Sequence, residues 1–110
     1  MPNEIKVGTQ IYQVILRTPK EDGMLNDGNF GYTLDSGLVI VIDATISPTK
    51  QRVTLLHELM HAIQMTFGSP TKPSKDADFE EWEHYFIGTY EESMLIVLQD
   101  NPSLLKYLSA

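Results

Sequence analysis

The first half of the chain carries its apolar residues in short β-branched runs, and the second half carries them at helical spacing. Ile5 to Arg17 holds Ile5, Val7, Ile11, Tyr12, Val14, Ile15 and Leu16, which predicts a strand with Gly8 as a break or bulge inside it. A polar loop follows over 19–29, with Pro19, Gly23, Asn26, Asp27, Gly28 and Asn29. Phe30 to Leu34 reads as a strand and Asp35-Ser36-Gly37 as a tight turn. Leu38-Val39-Ile40-Val41-Ile42 is a short unbroken apolar run, the pattern of a well-buried strand. These last two runs are expected to pair as an antiparallel hairpin.

Ser47-Pro48 opens a helix, because serine caps the free amides of the first turn and proline suits its first position. Leu55, Leu56, Leu59, Ile63 and Met60 give it an apolar side, and Gly68-Ser69-Pro70 ends it. A second helix is predicted from Asp76 or Asp78 to about Gln99, with early carboxylates favourable at its positive end. Asn101-Pro102 breaks it, and Ser103 to Leu108 forms a last short helical turn. The expectation is one α+β domain over residues 1–110, a small, mainly antiparallel sheet packed on two principal helices.

The first helix carries the chemistry. His57-Glu58-Leu59-Met60-His61 places two imidazoles one turn apart on one face, so both reach a single ion, with a carboxylate beside the first. Zinc held this way needs a third protein ligand and keeps one position for water, whose pKa falls toward about 7. Glu58 is placed to take that water's proton as it attacks a carbonyl, so peptide-bond hydrolysis is the first reaction to consider. The third ligand is open. Gln64 and Phe67 stand where a metzincin continuation needs glycine and histidine. In an antiparallel pair of helices joined near 68–77, His61 lies opposite residue 84 and His57 opposite residue 88. That register favours His84 and makes Gly88 a point of close approach, with Glu91 as the rival ligand or as a group orienting His57.

Other polar and soft residues have plainer readings. Glu80, Glu81, Glu83 and Glu92 fit a solvated helix face, Asp76 and Asp78 caps, and Asp43 the end of a strand. Met60, Met65, Met94 and Trp82 fit core or groove positions. Eight basic against fifteen acidic residues give a net charge of −7, which disfavours nucleic-acid partners. With no cysteine, a metal site must use histidine and carboxylate. The N-terminus lacks the pattern of a signal peptide and no segment has membrane-spanning length, so a cytoplasmic protein without a membrane partner is expected.

The segments Thr54 to Ile63, around the HExxH motif, and Leu95 to Pro102 resemble the small HExxH proteins related to the ImmA/IrrE-type metallopeptidases, above all compact phage and prophage members. The resemblance covers about two-thirds of the chain, from the strand before the motif to the end of the second helix. It implies a minimal zincin-like (gluzincin-like) fold, a Zn2+ cofactor, a peptide or protein substrate, and the host cytoplasm if the chain is phage-encoded. It also implies a cleft bordered by the Val39–Ile42 strand, where an extended peptide adds as a further strand. The family's third ligand is usually a glutamate on the next helix. Counting back from Asp100-Asn101-Pro102 puts it at His84, so the chain departs from the pattern there. Two functions follow: a zinc-dependent metallopeptidase, or a zinc-stabilised interaction module with little or no catalysis. The sequence does not set the oligomeric state.

Overall fold

Four strands and three helices build the domain in the computed structural model, which describes residues 1–26 and 28–110. Asp27, one of the predicted loop residues, lies outside them. The Ile5–Arg17 stretch is two strands, β1 (Glu4–Val7) and β2 (Gln10–Arg17), paired antiparallel. Gly8 is the corner of that hairpin: its φ of +61° is one that side chains rarely adopt, and a Cβ there would meet the Phe67 ring at 3.1 Å. The predicted second hairpin is present, with β3 (Gly31–Leu34) antiparallel to β4 (Val39–Asp43).

The sheet order is β1-β2-β4-β3, so β4 runs parallel to β2 inside the sheet and β3 is an outer strand. The sheet is thus mixed, with two antiparallel pairings and one parallel. The expectation that Val39–Ile42 borders the cleft is corrected: β4 is paired on both sides, and the free edge belongs to β3. Between β2 and β3, Asp22 caps a single 3-10 turn, Gly23–Leu25, and Leu25 is buried within the stretch read as polar loop.

Helix α1 (Pro48–Phe67) starts as predicted, with Ser47 Oγ accepting from the Lys50 amide at 3.2 Å and Pro48 in the first turn. It buries Leu55, Leu59, Ala62 and Ile63 against Ile5, Val7, Tyr12, Ile40 and Ile42 of the sheet. Leu56, assigned to the apolar side, is 39% exposed, because the buried stripe turns toward Thr54, Glu58 and Ala62 instead. Helix α2 (Phe79–Asp100) is capped by Asp78, whose side chain accepts from the Glu81 amide, and adds Val97 to the core. Helix α3 (Pro102–Leu108) closes the domain with Leu104.

Asn101, between α2 and α3, is buried and fully engaged. Its Oδ1 accepts from the Lys6 amide at 2.9 Å, and its Nδ2 donates to Lys6 O at 2.8 Å and Val97 O at 2.7 Å. The side chain thereby satisfies the outer edge of β1 as a neighbouring strand would. No described helix is long and apolar enough to cross a membrane.

Candidate metal centre

The buried stripe of α1 fixes what its other face presents. Leu55, Leu59, Ala62 and Ile63 anchor the helix to the sheet, leaving His57 and His61 exposed one turn apart. Their Nε2 atoms lie 3.2 Å from one another, with the rings edge-on at a centroid distance of 4.9 Å. Two nitrogens bound at 2.0–2.1 Å to tetrahedral zinc stand about 3.3 Å apart. The pair therefore has the bite of a zinc chelate, although the same spacing also serves a hydrogen bond between the rings.

Glu58 is different in kind. Its side chain is 8% exposed against 66% for His57, so it sits beneath the histidines rather than beside them in solvent. Thr33, on β3, holds it there: Thr33 Oγ1 donates to Glu58 Oε1 at 2.9 Å and lies 3.1 Å from the Glu58 carbonyl. The other oxygen, Oε2, is 3.8 Å from His57 Nε2. One carboxylate oxygen is thus tied to the sheet, while the other is left toward the histidine pair.

The distance between β3 and α1 is set by Gly31. A Cβ there would meet Thr54 Cγ2 and the Val41 carbonyl, each at 2.8 Å, so only glycine lets the edge strand approach the helix this closely. The result is a hollow of about 360 Å³ between the edge strand and the motif, lined by Gly31, Tyr32, Thr33, His57, Glu58 and His61. A second hollow shares His57 and Glu58 and extends toward Phe30, Lys50 and Val53. The Lys50 ammonium lies 4.6 Å from the centre of the Phe30 ring.

Tyr32 also ties the rim to the segment before β3. Its hydroxyl donates to Asp22, which in addition accepts from the Met24 amide at 3.0 Å and lies 3.4 Å from Arg17. The Tyr32 hydroxyl, with the amide and guanidinium adding to it, holds the Asp22 carboxyl below the usual carboxylate range. Burial, then the neighbouring Asp22, pushes the Tyr32 phenol up.

The sequence expectations for the third ligand fare less well. His84 does not face His61: its side chain is 74% exposed, its Nε2 lies 3.9 Å from Glu80, and it lines a hollow with Pro70, Pro73 and Tyr85. Glu91 is exposed. The expected register fails because the helices are joined by eleven residues, 68–78, with two prolines among them rather than by a tight symmetric turn. A Cβ on Gly88 would lie 3.3 Å from Pro70, not against His57, and Thr89, Ser93 and Ile96 share a hollow with Phe67 and Gly68. Helix α2 thus packs against the end of α1, and its first turns run past it. Among the described residues, no group of three or more His, Cys, Asp or Glu is placed to hold a metal ion.

The pair on α1 fits two corners of a zinc site, and the third corner is not filled in this arrangement. Thr33 is the site residue that sequence patterns do not single out. Its only trace there is the one aliphatic hydroxyl in a short strand otherwise made of Gly31, Tyr32 and Leu34.

Comparison with known families decides the affiliation, since the IrrE N-terminal-like domain model of the peptidase M78 family matches residues 13–99, about four-fifths of the chain. The chain belongs to this family. It is therefore a metallopeptidase-like domain, in agreement with the α+β architecture and with the position of the motif on α1. No curated protein and no solved structure matches it significantly. The span matched by the IrrE N-terminal-like model omits β1 and α3, and these are the elements that Asn101 joins.

Proposed function

We propose that this domain is a zinc-dependent peptidase in which His57 and His61 hold the metal and Glu58 is the general base. The observation that carries the reading is the 3.2 Å convergence of the two Nε2 atoms above a buried Glu58 whose Oε1 is held by Thr33. Zinc at that point supplies Lewis acidity: it polarises a carbonyl and makes water easier to deprotonate. The chain's own residues do the rest. Glu58 Oε2, the oxygen not bound by Thr33, receives the proton and later returns it to the leaving amine.

An extended peptide is positioned on β3. The Asp43 amide donates to Phe30 O at 2.8 Å, and the alternation of antiparallel pairing then turns the backbone groups of Gly31 and Thr33 away from β4. Those groups offer a strand-addition edge beside the histidines. His84 is kept as the proposed third ligand and Glu91 as its rival, and either requires α2 to shift relative to α1. The second reading, a metal-stabilised interaction module without hydrolysis, is favoured by one observation: among the described residues, neither candidate forms a metal-binding group with the pair.

Glu58→Gln separates the readings. The peptidase reading expects zinc content to be unchanged and cleavage of a peptide library to fall by about 10²-fold or more. No cleavage by a zinc-loaded wild type supports the second reading instead, and equal cleavage by the wild type and the variant contradicts the role given to Glu58.

A further inference from the structure

The core-facing stripe of α2 does not stop where the core stops. Val97 and Ser93 are buried and Tyr90 is half-buried, and the same helical face continues through Phe86 and Trp82 to Phe79. There it lies in the open: Phe79 is 79% exposed, Phe86 56%, and the adjoining Ile87 54%. Trp82 and Phe86 pack on each other at 6.0 Å and on Tyr85 at 5.8 and 5.3 Å, forming an aromatic cluster at the surface. A run of large exposed aromatic groups on one helix is the mark of a binding surface rather than of a solvated one.

Charge selects what binds there. From Asp76 to Leu105 the chain has eight acidic residues and no lysine or arginine, and Asp78, Glu80, Glu81 and Glu83 lie among the aromatic positions. A second copy of this face would bring like charges together, and anionic lipid or nucleic acid would meet the same repulsion. A cationic amphipathic segment meets none. We infer that the first half of α2, around Phe79, Trp82 and Phe86, is a docking surface for a basic amphipathic segment of a partner protein. Apolar anchors of the partner cover the aromatic stripe, and its lysines or arginines pair with the flanking carboxylates, a helix-on-helix form of recognition. The inference does not depend on hydrolysis at the motif.

Trp82 is the chain's one tryptophan, so its emission reports the surface directly. The probe is a synthetic eighteen-residue peptide, with roughly one-third leucine at helical spacing and lysine elsewhere. The expected result is a saturable blue shift of Trp82 emission. Binding should weaken about ten-fold in Phe86→Ser and again when salt rises from about 0.05 to 0.5 M. Phe86 is exposed, and unchanged far-ultraviolet circular dichroism shows that the variant is folded. The same peptide with glutamate in place of lysine should not bind. Four results would overturn the inference: no saturable shift, a shift indifferent to Phe86→Ser, an equal shift with phosphatidylglycerol vesicles, or a concentration-dependent dimer in which Trp82 is already buried.

Discussion

At the scale of single residues, the site depends on asymmetry between the two oxygens of Glu58. A buried carboxylate with no fixed donor rotates freely or turns outward to water; Thr33 prevents both by holding Oε1 at 2.9 Å. Thr33→Val keeps the shape and removes the donor. Its expected effect is a stability loss of about 1–3 kcal/mol and a roughly ten-fold fall in peptide cleavage, while Thr33→Ser keeps both near wild type. Thermal denaturation and a cleavage assay on the three proteins check this. Asp22 gives a pH test. Its folded-state pKa is lowered, so its contribution is complete above the unfolded value of about 3.9 and is lost as pH falls through the folded one. Asp22→Asn should flatten the acid side of the stability profile in denaturant titrations below about pH 4, and leave the profile near neutrality parallel to that of the wild type.

At the scale of elements, the helices are legible in the sequence because their ends are written in side chains. Ser47-Pro48, Asp78 and Asn101-Pro102 each satisfy or remove local backbone donors, and each marks a boundary where expected. What the sequence does not carry is the order of strands. The parallel pairing of β2 with β4 joins residues about 26 apart, as in Gln13 with Val39, and no local pattern encodes it. Reading β4 as an edge therefore places the free edge beside the motif one position too far in. The helix register fails for a similar reason, since equal spacing from a loop predicts facing residues only when the loop is tight. Asn101 shows how a helix breaker also acquires a tertiary role, because the residue that ends α2 holds β1 as well. Asn101→Ala removes three hydrogen bonds and should cost about 2 kcal/mol, or about 10 °C in Tm, in calorimetry. Hydrogen exchange at Lys6 and its neighbours in β1 should rise before exchange in β4 does.

At the scale of the whole molecule, two regions of unlike character share one small domain. The sheet, α1 and the second half of α2 enclose the core and present the motif at the β3 edge. The first half of α2 stands off this body, in keeping with a radius of gyration of 15.0 Å, against about 13 Å for a compact chain of this size. The family match covers both regions, while strand β1 and helix α3, outside the matched span, lie at the edge of the sheet away from the site. The motif itself is plain in the sequence, since two histidines at i and i+4 with a glutamate beside the first form a recognised zinc-binding pattern on a helix. Its support is not, because Thr33 and Gly31 reach Glu58 and Thr54 only through the fold. Zinc content after reconstitution and removal of free metal is the most direct test of the whole account. One zinc per chain is predicted for the wild type and for Glu58→Gln, with loss in His57→Ala and in His61→Ala; a reconstituted wild-type protein without stoichiometric metal would contradict it.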